Sequence, residues 1–166
     1  MDEIESDWWM MKIEMLIAVI LAFFSLNQFQ AEDLPGLHEP MKTATKQYLV
    51  IQQKLASDSF DGVSAAAADM KKALVSDPAK TFAPDFIKAV DDLAAARDLH
   101  AARLAFQKVS SSLIAALAQN QVQTGSLHSA FCPMVKAYWV QEDGKVIRNP
   151  YYGAAMLDCG EFQRQF

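Results

Sequence analysis

Residues 98–120 read DLHAARLAFQKVSSSLIAALAQN, and this stretch decides the fold class. Its apolar residues recur at steps of three and four positions, at Leu99, Ala102, Phe106, Val109, Leu113 and Ala116. This spacing gives a helix one apolar stripe, which has to be buried against a partner surface. The stretch therefore predicts a long amphipathic helix inside a helical domain.

Three further helical patterns precede this stretch. The first runs from about residue 41 to 56, and the second from about 60 to 75, where AAAA at 65–68 favours helix. The third starts near Pro84, because proline suits the first turn of a helix. No glycine or proline separates residues 94–100, so the third and fourth patterns could also form one long or kinked helix. We predict a mainly α fold, an up-down bundle of three to four helices, because short connections favour antiparallel neighbours.

The pattern changes from residue 125 onward, where four of the six glycines and several aromatic residues are found. AYWV at 137–140 and KVIR at 145–148 flank the turn residues EDG, which is typical of a β-hairpin. We therefore predict a short hairpin within an otherwise irregular region, residues 126–161, at the end of a domain that spans residues 41–166.

The N-terminal segment has the composition of an export signal. Residues 15–26 read MLIAVILAFFSL, which matches the apolar core of a signal peptide and is short for a membrane-spanning helix. We predict a signal peptide over 1–31, cleaved after Ala31, with translation starting at Met10 or Met11. An uncleaved membrane anchor is the alternative. Residues 32–40 contain two prolines and one glycine, and are predicted to be a linker.

Charge and motifs exclude several classes of function. The net charge is −5, but residues 1–31 contain five acidic residues and one lysine, so the remainder is almost neutral. Without a run of Lys or Arg, neither nucleic acid nor an anionic membrane surface is an expected partner. The sequence also lacks the G-x-S-x-G, phosphate-loop, H-E-x-x-H and C-x-x-C motifs, so we do not expect an enzyme.

The chain has two cysteines, and each has a methionine close by. Cys132 is followed by Met134, and Met156 precedes Cys159. Thiolate and thioether groups are soft donors that together select Cu(I), while thiolates also accept Zn or other soft metals. His128 adds a borderline donor. Alternatively, the cysteines form a disulfide that closes a loop of about 27 residues and stabilises the fold by about 3–4 kcal/mol. The spacing leaves both alternatives open, together with unpaired buried thiols.

The string IRNPYYG at 147–153 is the second candidate feature. Its Asn-Pro pair favours a turn, and its aromatic residues supply half-buried surface. Arg148, Tyr151 and Trp139 are candidate residues for a partner surface.

The ordered motifs CPM at 132–134, YW at 138–139, IRNPYYG at 147–153 and M-x-x-CGE at 156–161 resemble the signature of a bacterial periplasmic domain family. That domain of unknown function is often described as heavy-metal or copper binding. It occurs alone behind a signal peptide, or fused to the C-terminal end of adaptor subunits of heavy-metal efflux pumps. The resemblance covers about residues 41–161 and includes R-x-x-F-x-x-x-S at Arg103, Phe106 and Ser110.

The resemblance implies a periplasmic protein that binds Cu(I) or another soft metal through Cys132, Met134, Met156 and Cys159. It implies metal sequestration, sensing or transfer, with an efflux adaptor as a candidate partner. Phe131 stands directly before CPM, so the nearest histidine is His128. The alternative function is a disulfide-linked structural module of the cell envelope that docks onto another protein.

Overall fold

The computed structural model describes residues 34–80, 82–142 and 144–166. These residues form four α-helices, three strands and one 3₁₀ turn: α1 Met41–Ala56, α2 Val63–Val75, α3 Pro84–Ala94, α4 Leu99–Gln119, β1 His128–Cys132, β2 Ala137–Gln141, the 3₁₀ turn Gly153–Ala155 and β3 Glu161–Gln165. The prediction of a mainly α fold with a C-terminal β region is confirmed. The predicted signal peptide, both alternative start positions and residues 32 and 33 lie outside the described residues. Among the described helices, none has the length and hydropathy needed to cross a membrane.

The helices pack in chain order, each against the next. In α4 the middle of the predicted apolar stripe is buried, including Phe106, Val109 and Leu113, whereas Leu99 and Ala116 at its ends are half-buried. Both α1 and α4 also contact β2. The sheet therefore packs on the first and last helices and shares their hydrophobic core.

Two helix boundaries differ from the sequence pattern. The Asp98 carboxylate accepts a hydrogen bond from the Ala101 amide at 2.7 Å, so it caps a new helix. The long or kinked helix is therefore wrong, and α3 and α4 are separate. Helix α2 begins only at Val63, because Gly62 before it has a left-handed φ of 74°.

Residues 34–40 are irregular, but they are not the predicted linker. Leu34 and Leu37 are buried in the core. Gly36 has a φ of 80°, and a Cβ at this position would lie 2.7 Å from the Gln123 carbonyl oxygen. Because only glycine fits that close approach, this segment packs as part of the domain.

The three strands form an antiparallel sheet in the order β2-β1-β3. The hairpin joins β1 to β2 through residues 133–136, and its end pairs Cys132 with Ala137. The predicted hairpin between 137–140 and 145–148 is therefore wrong in its second strand. The third strand, β3, has no counterpart in the sequence prediction.

Side-chain amides replace a strand ladder at residues 145–148. The Gln141 side chain accepts a hydrogen bond from the Arg148 amide at 3.0 Å and donates one to the Val146 carbonyl at 2.8 Å. The Gln52 side chain donates to the Arg148 carbonyl at 2.7 Å. These bonds give three backbone groups of the segment side-chain partners in place of strand pairing, which explains why its strand-like composition misled the prediction.

Tyrosine hydroxyls cover the edge of β2 that faces away from β1. The Val140 amide donates to the Tyr48 hydroxyl at 3.0 Å, and the Tyr151 hydroxyl donates to the Tyr138 carbonyl. The Ser110 hydroxyl bonds both tyrosine hydroxyls, at 2.8 and 3.2 Å. Burial raises the pKa of Tyr48 and Tyr151, so both stay protonated. The network satisfies an edge that would otherwise be open and fixes β2 to the helices.

Candidate functional site

Cys132 lies at the end of β1, where the chain turns into β2. Its side chain is fully buried. The backbone amides of Met134 and Val135 donate hydrogen bonds to its sulfur. Lys136, which has a left-handed φ of 52°, completes the turn. The turn therefore directs two N–H groups at a single sulfur atom.

Cys159 reaches the same point from the segment that leads into β3. Its amide donates to the Met156 carbonyl at 3.1 Å, which closes a turn after the 3₁₀ segment. Gly160 then lies against Trp139, because a Cβ there would be 2.5 Å from the indole ring. Strand β3 follows and pairs with β1 beside Cys132. As a result the two cysteine sulfurs lie 3.3 Å apart.

Asn149 holds the two cysteine segments together, and the sequence reasoning missed it. It is fully buried, and its side-chain amide donates to the Cys159 carbonyl at 2.6 Å and to the Cys132 sulfur. Its side-chain oxygen accepts from the Tyr151 amide at 2.8 Å, and its own amide donates to the Leu157 carbonyl at 2.8 Å. The Asn-Pro pair was a signal for a turn. The contact with both cysteines, however, follows only from the tertiary fold.

The hydrogen bonds make the two thiols unequal. Burial opposes ionisation of Cys132, but donors from Val135, Cys159, Met134 and Asn149 outweigh it, and the pKa of Cys132 falls below its usual value. The pKa of Cys159 is raised, first by its hydrogen bond with the Cys132 thiol and second by burial. The hydrogen bonds therefore stabilise a thiolate at Cys132 more than one at Cys159.

Both candidate methionine ligands lie on the turns that carry the cysteines. Met134 is two residues after Cys132, its amide contacts both cysteine sulfurs, and its side chain is 61% exposed. Met156 is half-buried, and its carbonyl oxygen accepts from Cys159 within the second turn. The four predicted soft donors thus belong to two adjacent turns.

His128 does not belong to this site. It begins β1 and Cys132 ends it, so the two residues lie four positions apart, or about 13 Å at strand rise. Its Nδ1 bonds the Ser126 carbonyl at 3.0 Å, and its ring packs on Phe162. Within the described part of the chain, no three His, Cys, Asp or Glu side chains are grouped as metal ligands would be. The prediction of His128 as a ligand is therefore wrong.

The predicted partner surface is wrong for two of its three residues. Trp139 and Tyr151 are 0% and 6% exposed, and their rings pack edge to face with centroids 6.0 Å apart. The Trp139 indole donates to the Gln141 side chain at 3.0 Å. Both aromatic residues therefore belong to the core. Arg148 is exposed, and its role as a partner residue stays a prediction.

A second anchor fixes the segment that precedes Cys159 and was also missed. Arg103 donates to the Pro150 carbonyl at 2.9 Å and to Asp58 at 2.6 Å. Asp58 accepts from the Ala154 amide at 2.9 Å, and this bond, followed by that of Arg103, lowers its pKa. Gly153 has no room for a side chain, since a Cβ would lie 2.1 Å from the Asp58 carboxylate.

Comparison with known proteins gave no match: no family model fits the chain, and no curated protein and no solved structure is significantly similar to it.

Proposed function

We propose that this protein binds a soft metal ion, chiefly Cu(I), between the thiolates of Cys132 and Cys159. The distance of 3.3 Å between the two sulfurs carries the proposal. Two sulfur ligands of one metal, bonded at about 2.3 Å with tetrahedral angles, lie about 3.8 Å apart. The two turns therefore need to open by only about half an ångström to admit the ion.

The donor chemistry favours Cu(I) over harder ions. Two thiolates and the thioethers of Met134 and Met156 are soft ligands, a set that suits Cu(I). Metal binding requires deprotonated cysteines, and the N–H groups that point at Cys132 stabilise its thiolate. Zinc binds through thiolates as well and is the competing ion to measure.

The cellular role is proposed from the motif resemblance. A periplasmic protein with this site sequesters or senses Cu(I), or transfers it to an efflux adaptor. The exposed side chain of Met134 supports transfer, because it places a soft donor in contact with solvent on the turn that carries Cys132.

Anaerobic titration of the reduced full chain with Cu(I), against a chromogenic Cu(I) chelator, tests the proposal. We expect one ion per chain, and loss of this binding in the Cys132→Ser/Cys159→Ser double variant. Met134→Leu and Met156→Leu weaken binding less than the loss of both cysteines does. His128→Ala is the matched control and keeps the wild-type affinity, because its ring lies at the far end of β1. Equal binding by the wild type and the double cysteine variant contradicts the proposal.

A permanent disulfide is the second candidate, and the same sulfur contact supports it. In that case the protein is a cross-linked structural or interaction module of the cell envelope. Mass spectrometry of exported protein without reduction separates the two. Complete pairing that resists reductant supports the cross-link, whereas free thiols or a copper adduct support the metal site.

A further inference from the structure

The two cysteine sulfurs differ in access from solvent. Cys132 is 0% exposed, whereas Cys159 is half-buried on the loop before β3. A thiolate that attacks a disulfide has to reach one of its sulfur atoms and displace the other. In a disulfide between these residues, Cys159 is the sulfur that an external thiolate can reach.

The hydrogen bonds favour the same direction. The donors at the end of β1 serve Cys132: the amides of Met134 and Val135 and the side chain of Asn149 point at its sulfur. A departing thiolate leaves faster when its charge is stabilised. Cys132 is therefore the better leaving group.

We propose that Cys132 and Cys159 form a directional thiol–disulfide exchange site whose substrates are small thiols or dithiol proteins. In the oxidised chain the external thiolate attacks the Cys159 sulfur, forms a mixed disulfide there, and releases Cys132 as a thiolate. A second external thiolate attacks the mixed disulfide and releases Cys159, which takes up a proton. Two electrons pass to the protein, and the two external thiols leave as their own disulfide.

Stabilisation of the Cys132 thiolate also makes the disulfide easy to reduce, because it favours the reduced form of the pair. The consequence for metal binding rests on the proposed function. The disulfide form has no thiolate that can bind a metal ion, and reduction restores both cysteine ligands. The pair therefore regulates when Cu(I) binds.

The test uses the metal-free full chain oxidised with diamide. Excess reduced glutathione is added, the reaction is stopped in acidic denaturant with an alkylating agent, and the peptides are identified by mass spectrometry. We expect glutathione on Cys159 and the alkyl group on Cys132, in at least tenfold excess over the reverse pattern. Equal amounts, the reverse pattern, or no Cys132–Cys159 bond after diamide overturns the proposal.

A second measurement uses glutathione buffers of varied ratio. The wild-type disulfide is expected to be reduced at glutathione ratios that leave a structural disulfide intact. Asn149→Ala removes one donor to Cys132 and requires a several-fold more reducing ratio for half-reduction. An unchanged ratio in a folded variant contradicts the role of Asn149. Because no copper is present, these results are independent of the Cu(I) titration, so either proposal can fail alone.

Discussion

Asn149→Ala is expected to lower the free energy of unfolding by about 3 kcal/mol. The Asn149 side chain is fully buried and bonds two backbone groups, the Cys159 carbonyl at 2.6 Å and the Tyr151 amide at 2.8 Å. Alanine removes the side chain that bonds them, so the Cys159 carbonyl and the Tyr151 amide lose this hydrogen-bond partner. The segment that carries Cys159 then loses its bond to the Asn149 side chain, but keeps the backbone bond from the Asn149 amide to the Leu157 carbonyl.

The magnitude follows from those two groups. A buried donor or acceptor that loses its partner costs about 1–3 kcal/mol, so the pair costs about 2–6 kcal/mol. Alanine recovers about 1 kcal/mol, because it has no side-chain rotamers to fix. The expected loss is below the stability of a typical domain, about 5–15 kcal/mol, so the variant still folds.

Urea unfolding of the reduced protein, followed by far-ultraviolet circular dichroism, measures the loss. Asn120→Ala is the matched control, because Asn120 is exposed and its amide bonds the Ala116 carbonyl at 2.8 Å at the end of α4. That control should change stability by about 0.5 kcal/mol or less. The ultraviolet absorbance of the thiolates gives a second readout, because the chain has only two cysteines. The first thiol pKa should rise in Asn149→Ala. Similar losses for both asparagine variants, with no change in thiol pKa, refute the reasoning.

Two further variants test the supports of the site. Tyr48→Phe leaves the Val140 amide and the Ser110 hydroxyl without the Tyr48 hydroxyl, and we expect a loss of about 1–3 kcal/mol in urea unfolding. Tyr138→Phe, which removes the hydroxyl of a 44% exposed side chain, should change little, and equal losses contradict the edge-covering role. The pKa of Asp58 is lowered from 3.8, so its charge stabilises the fold above that pH and this stabilisation is lost as the pH falls through the lower folded value. Asp58→Asn should therefore melt at a lower temperature than the wild type at neutral pH, with the gap closing as the medium becomes more acidic than about pH 4. A constant gap over that range contradicts the assignment.

The helices could be predicted because their stabilisation is local and periodic. The apolar stripe of α4 and the proline at the start of α3 are both written in short stretches of sequence. The sheet was harder. Strand β3 reads EFQRQ, a sequence with little β propensity, and it is largely exposed. It forms because its backbone pairs with that of β1.

The sequence identified the two reactive cysteines of the candidate site, but not the residues that hold them in place. The pairing of soft sulfur donors in two short strings identified Cys132 and Cys159, which lie together in the structure. Their approach does not come from the predicted hairpin, because residues 145–148 bond side-chain amides instead. Asn149 could not be assigned, since its partners lie in segments whose positions depend on the whole fold.

Three side chains on one face of α4 contact the segment that precedes Cys159. Arg103, Phe106 and Ser110 are spaced three and four residues apart, so they lie on one face of the helix. Arg103 bonds the Pro150 carbonyl, the Phe106 ring packs 6.3 Å from that of Tyr151, and Ser110 bonds the Tyr151 hydroxyl.

That face therefore holds the NPYY segment, and Asn149 in this segment binds both cysteine turns. The helical body and the sulfur site are thus mechanically connected. A substitution that weakens the contact between α4 and the NPYY segment should therefore also change the pKa of Cys132, although the substituted side chain does not touch the sulfur.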